Sequence, residues 1–142
     1  MLATFTWYFL SFRGRISRQE FRLGYFGLVI VNAVLIRTWT NLTIPRVRYY
    51  SGRDIDHSHE WTILLTLLIN FWPLAAVFVK RLHDLNVSGW WMLATLIIAP
   101  VSTATNVSVW IIVLLVVAIL SLLPGTSGNN RFGNDPRAGT KI

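Results

Sequence analysis

Hydrophobic and polar positions alternate along this chain in long blocks, with apolar stretches closed by short charged ones. The first block, MLATFTWYFLSF, is too short to cross the roughly 30 Å of a bilayer's hydrocarbon. Its Trp7, Tyr8, Phe9 and Phe12 suit the headgroup layer, so 1–16 reads as an interfacial segment. The basic residues Arg13, Arg15, Arg18 and Arg22 come after the apolar run, the reverse of a secretory signal, so the segment is expected to stay on the mature protein. Ser17 and Glu20 then fit a capping box, in which each side chain accepts from the other's backbone N–H. A helix is predicted from about 18 to 42, with Pro45 just beyond it. Its charge-free stretch, 23–36, is flanked by Arg22 and Arg37, which can snorkel, and Trp39 sits at the far interface. Residues 43–61 are polar and read as a loop. The uncharged run 62–79 predicts a second span, about 62–82, with Pro73 as a point of kinking.

Between Asp84 and Arg131 lie 46 residues without a charge. As one straight helix they would extend about 69 Å, more than twice a bilayer's hydrocarbon, so the chain must turn back. The polar break at 100–106 supplies the turn and predicts spans of about 88–103 and 107–123, the first short enough to be re-entrant instead. From Pro124 onward the chain is a Gly-rich polar tail, 124–142. The fold class expected is all-α: a single integral membrane domain, 1–142, built as a bundle of four transmembrane helices with an N-terminal interfacial segment.

Composition agrees with a lipid environment. Apolar residues make up 54% of the 142, and charged residues 13%, about half the share usual in soluble proteins. A soluble domain of this size could not hide that much apolar surface. Without cysteine there is no disulfide, thiolate metal site or thiol nucleophile. The net charge of +7 is accounted for mainly by topology. With both termini inside, the inner segments carry Arg13, Arg15, Arg18, Arg22, Lys80, Arg81, Arg131, Arg137 and Lys141, and the outer side only Arg37, Arg46, Arg48 and Arg53. The positive-inside rule then places both termini in the cytoplasm, and no nucleic-acid partner is needed.

Three motifs, FRGRISRQEF (12–21), KRLHDLNVSGWW (80–91) and GNNRFGNDP (128–136), occur in this order. Together they resemble the small bacterial inner-membrane proteins grouped as domain of unknown function eight hundred and five. The resemblance covers nearly the whole chain. It implies four membrane helices in a bacterial inner (plasma) membrane and supplies no function. The matching positions are Arg13, Gly14, Arg15, Ser17 and Arg18; Arg81, His83, Asp84, Ser88, Gly89 and Trp90; and Asn130, Arg131, Gly133, Asp135 and Pro136.

By the span count alone, all three motifs fall at one membrane face. There Glu20, Asp84 and Asp135 are the only acids against nine cations, so Asp84 is expected to be bridged by arginines of the terminal motifs, with Lys80 as an i,i+4 partner. Ser88 is placed to cap the third span and Gly89 to allow a tight turn before it. Arg13, Arg15, Arg18, Arg81, His83, Asp84, Arg131 and Asp135 are thus the candidate cluster. The leading reading is a structural staple, with surplus arginines contacting anionic lipid as the second. A catalytic pair of His83 as acid/base and Asp84 as its orienter is disfavoured, because neighbours on a helix point about 100° apart.

Other patterns carry less. The 54–60 stretch, DIDHSHE, has groups that could hold a divalent cation, but a solvated loop is the simpler reading. The stretch 124–130 lacks the Lys of a phosphate loop and reads as a flexible exit from the last span. Asn32 and Asn70 are expected to bond to neighbouring helices. No ionisable group lies deep in a span, which argues against an ion-coupled transporter. No cofactor, metal or catalytic residue is expected. The expected role is a non-enzymatic binding or accessory protein whose basic cytoplasmic face meets anionic lipid, a membrane-protein partner or a second copy. A pore or transporter subunit and a lipid-acting membrane enzyme are the alternatives.

Overall fold

In the computed structural model, which describes residues 2–50 and 58–138, the regular elements among those residues are all helical. The capping box forms: the Ser17 N–H donates to Glu20 Oε2 at 2.7 Å and the Glu20 N–H to Ser17 Oγ at 3.3 Å. It starts α2 (Arg18–Tyr50), which follows the N-terminal helix α1 (Leu2–Leu10). Next come α3 (Ser58–Asp84), a 3-10 helix (Gly89–Ile97) running into α4 (Ile98–Thr105), and α5 (Val109–Leu122).

Three elements differ from expectation. α2 passes Pro45 and ends at Tyr50, and α3 begins at Ser58; the polar stretch read as loop is therefore partly helical. A proline in a helix removes one N–H bond and strains the turn before it, but intact turns on both sides can carry the helix through. The segment 89–105 is not one α-helix but a 3-10 helix continued by an α-helix. Ser88 stands at its N-cap position without a side-chain capping bond. Asn32 and Asn70 donate to carbonyls of their own helices, Leu28 and Thr66, both at 2.8 Å, not to neighbouring ones. This satisfies their amides locally, as polar side chains in helices often do.

Among the described residues, two helical stretches are long and apolar enough to cross a bilayer, Arg18–Trp39 and Leu64–Asp84, each with mean hydropathy 1.4. Gly89–Thr105 and Val109–Leu122 are shorter apolar helices. Large apolar side chains face outward along all of these stretches, among them Ile30, Ile69, Leu96 and Trp110. An exposed apolar surface of this extent requires a lipid or protein cover.

The buried core is small and lies at one end. Ile16, Phe21, Val77, Val117 and Leu120 form it. Phe21 meets Phe78 edge-on with ring centres 5.3 Å apart. Ile16, Phe21 and Val77 lie within about one helical turn of Arg15, Arg22 or Lys80, and the Leu120 carbonyl accepts from Arg81, so packing and charge occupy the same end. α3 is the hub, since α1, α2 and the 3-10 helix all pack on it.

Candidate functional site

At that end, α3 turns two adjacent cations in different directions. Consecutive residues on a helix are about 100° apart, so Lys80 and Arg81 cannot serve the same neighbour. The Lys80 ammonium donates to the carbonyls of Trp7 and Tyr8, the latter at 2.8 Å, and lies 4.3 Å from the Trp7 ring centre. These carbonyls belong to the last turn of α1, and Trp72 Nε1 covers another, Leu10, at 2.9 Å. Arg81 turns to α5: its Nε donates to the Leu120 carbonyl at 2.8 Å and its Nη2 to the Leu123 carbonyl. Each cation meets the unsatisfied, partly negative end of a different helix.

Asp84 stands one turn beyond. Its Oδ1 accepts from Arg15 Nη2 at 2.9 Å and from Arg15 Nε at 3.2 Å, and its Oδ2 accepts from Arg81 Nη1. The side chains of Arg15 and Arg81 are 0% exposed and that of Asp84 2%. Two cations and one anion leave a surplus charge of +1, and backbone carbonyls absorb it. Arg15 Nη1 donates to Gly128 O at 2.7 Å and Gly133 O at 3.3 Å, and Nη2 to Thr126 O at 2.6 Å. Burying such a triad is favourable only when its remaining donors are satisfied, and no buried side-chain nitrogen or oxygen among the described residues lacks a partner.

The tail supplies those carbonyls because it folds back rather than leaving. Thr126 donates through both its N–H (2.8 Å) and its Oγ1 (2.9 Å) to the Asp84 carbonyl. Asn130 Nδ2 donates to the His83 carbonyl at 2.9 Å. Gly128 and Gly133 adopt φ of 73° and 139°, where a side chain would be strained. Gly125 lies so close to Asp84 that a Cβ there would sit 1.8 Å from Oδ2. The stretch 124–130 is therefore part of the cluster and not a flexible exit. Composition alone does not assign Thr126 and Gly125 to the cluster. Their one signal was small residues just after an apolar helix, where a buried carboxylate needs close backbone approach.

The other predicted residues take separate places. Lys80 does not pair with Asp84; at i,i+4 both could share a face, but the α1 carbonyls and aromatic rings claim the ammonium. His83 Nδ1 donates to the Gly14 carbonyl at 3.2 Å, and its ring stacks on Phe132 with centroids 3.9 Å apart. It does not touch the Asp84 carboxylate in a dyad. The turn after α3 uses Asn86 at φ 60°, not Gly89; Gly89 instead admits Val79 and His83, whose Nε2 would lie 3.3 Å from an added Cβ. Arg131 donates to the Asn86 carbonyl at 3.1 Å and covers the Phe132 ring.

Asp135 orders the tail. It accepts from the Gly128 N–H at 2.9 Å and from the N–H and Nε of Arg137 at 3.0 and 3.1 Å. These bonds, Arg137's first, hold its carboxyl down at about 2. Arg13, Arg18 and Arg22 are exposed, and their side chains make no hydrogen bond or ion pair among the described residues. The cation-binding reading of the 54–60 stretch falls mostly outside the described residues, and among those described no group of acid and imidazole side chains could hold a metal ion.

Comparison with known proteins agrees with the motifs. The family described as "Protein of unknown function (DUF805)" matches residues 9–134, a range that contains the buried triad of Arg15, Arg81 and Asp84. The chain is 30% identical to "Inner membrane protein YhaI" of Escherichia coli (strain K12), across 93% of this chain and 91% of the relative. It is 30% identical to "Inner membrane protein YhaH" of the same organism, across 91% and 89%. It is 28% identical to "Uncharacterized protein YiiR", across 91% and 87%. No solved structure matches the chain. With the three motifs joined around one buried carboxylate, and a match that reaches into each of them, the chain belongs to the DUF805 family of uncharacterised inner-membrane proteins.

Proposed function

We propose that this is a four-span inner-membrane protein, both termini cytoplasmic, that acts without chemistry of its own by holding anionic lipid headgroups on its basic face. The observation that carries the reading is a division among the arginines. Arg15 and Arg81 spend their donors inside the fold, whereas the side chains of Arg13, Arg18 and Arg22 are exposed with no partner among the described residues. Lysine or arginine near an anionic membrane surface contributes about 1 kcal/mol each, so three such side chains make a useful contact that the staple does not consume.

The four-span reading draws support from helix geometry. Nine residues at about 2.0 Å rise and eight at 1.5 Å carry Gly89–Thr105 across about 30 Å, a full hydrocarbon thickness. A 3-10 stretch thus lets a short segment reach across. The names of YhaI and YhaH as inner membrane proteins favour the same compartment.

The test is native mass spectrometry of protein extracted gently from its own membrane. Retained cardiolipin or phosphatidylglycerol, lost when Arg13, Arg18 and Arg22 are changed to Gln, is the expected result. A co-purifying membrane protein with no retained lipid would replace lipid by a partner, and protein bare of both would overturn the docking role.

A further inference from the structure

A cleft of about 540 Å³ runs beside α3, within the range of ordinary ligand sites. Phe71, Ala75, Val79 and His83 form its floor, an i,i+4 ladder along one face of α3. From Phe71 to His83 that ladder is about 18 Å long, slightly more than half of a bilayer's roughly 30 Å hydrocarbon. Trp90 and Leu93 of the 3-10 helix wall it, and Phe12 and Phe132 also line it. The cleft is thus a groove, apolar over one leaflet's depth.

The groove has one titratable group, His83, and the fold sets that group's chemistry. The Gly14 carbonyl can only accept, so Nδ1 carries the proton. In the neutral ring Nε2 is then an acceptor. It lies against Gly89, on the groove, and makes no hydrogen bond among the described residues. It is not sealed from outside, because no buried side-chain polar atom in these residues is unpartnered. The chain neighbours of Phe12 and Phe132 are Arg13 and Arg131, both exposed.

We infer that the groove holds one acyl chain of an anionic phospholipid whose headgroup carries a free hydroxyl, phosphatidylglycerol being the plainest example. The chain lies along Phe71, Ala75 and Val79. The headgroup hydroxyl donates to His83 Nε2, and Arg13 and Arg131 face the phosphate. This rests on the lipid-docking reading and deepens it, by giving one lipid a seat rather than a surface.

The test uses the full-length protein, delipidated in detergent and titrated by native mass spectrometry. The probes are phosphatidylglycerol and phosphatidylmethanol of identical acyl chains; the second is anionic but lacks the hydroxyl. One phosphatidylglycerol should bind about three- to tenfold more tightly than phosphatidylmethanol, the worth of one hydrogen bond. H83F, which keeps the ring stacked on Phe132, should erase that difference. A75L and L93W, which fill the groove, should weaken both lipids about tenfold or more, with melting temperatures checked in parallel. Leu93 is 54% exposed, so L93W keeps the test alive if A75L does not fold. Equal binding of the two lipids overturns the assignment to His83. Binding that falls with R13Q and R131Q yet ignores both groove fillers overturns the groove while leaving surface docking intact. Absence of anionic-lipid binding altogether overturns both.

Discussion

At the residue scale, one carboxylate organises the end where the helices pack. Asp84 is the carboxylate that two buried arginines share, so its loss leaves both without a counter-charge. Breaking a buried pair in this way costs about 3–5 kcal/mol, and D84N should lower thermal stability in detergent by that order. H83A should cost less, since His83 gives up one bond to Gly14 and one ring contact. Replacing the exposed Arg131 by Gln should cost under about 1 kcal/mol; a loss as large as that of D84N would mean the charge is shared more widely than the contacts suggest. Gly125 offers a sharper contrast. An added methyl there meets the Asp84 carboxylate, whereas one at Gly27 meets nothing within 4 Å. Folded yield should collapse for G125A and hold or rise for G27A, which also gains about 1 kcal/mol of helix propensity. The shortage of acids beside nine cations makes bridging of Asp84 by arginine legible in the sequence itself. Which arginines bridge it was not legible, because Arg13, Arg15 and Arg18 are chemically alike and only the path of the backbone separates them.

At the element scale, cations on α3 close the ends of two other helices. Removing the Lys80 ammonium leaves the α1 carbonyls of Trp7 and Tyr8 without their donor. K80M should therefore loosen α1 from α3, read as faster proteolysis within the first twelve residues while the rest of the chain stays protected. α1 also carries a pH dependence. The Tyr8 hydroxyl donates to the Glu20 carbonyl. Burial, and then the nearby Glu20 charge, push its ionisation up to about 12 from the usual 10. A pKa raised on folding stabilises the protonated form, so the contribution is complete below pH 10 and is lost as pH climbs through 12. Melting temperature should fall more steeply across that window in the unaltered protein than in Y8F; parallel curves would remove Tyr8 as the cause. At the acid end, the Asp135 contribution is present above about pH 4 and lost as pH drops toward 2.

At the scale of the whole molecule, the proposed topology is open to a clean measurement, because the chain has no cysteine. Single cysteines at Asn41, Thr103 and Ser127 occupy exposed positions. A membrane-impermeant thiol reagent should label N41C and T103C in intact cells with a permeable outer membrane. S127C should react only once the inner membrane is opened. If instead T103C reacts only once the inner membrane is opened while S127C reacts in intact cells, the segment Gly89–Thr105 re-enters rather than crossing. The apolar outer surface and the small core describe a molecule whose helices need lipid or protein to cover them, and whose specific packing is concentrated at one end.

Hydrophobic blocks, a capping box and the bracketing of 46 uncharged residues by Asp84 and Arg131 were enough to place the apolar helices and to bring three distant motifs to one end. These are local or one-dimensional properties: periodicity, length and charge count act along the chain. The rest came from contacts between residues far apart in sequence. Arg15 reaches Asp84 across 69 positions and Gly133 across 118, and no local pattern encodes such a pairing. The same holds for Lys80, whose i,i+4 spacing pointed to Asp84 until α1 presented two carbonyls and an indole. It holds for the Gly-rich tail, which has the composition of a flexible segment and becomes ordered because its backbone carbonyls answer a buried guanidinium. A charge removed from water takes whatever acceptors the fold brings to it, and that choice is made in three dimensions.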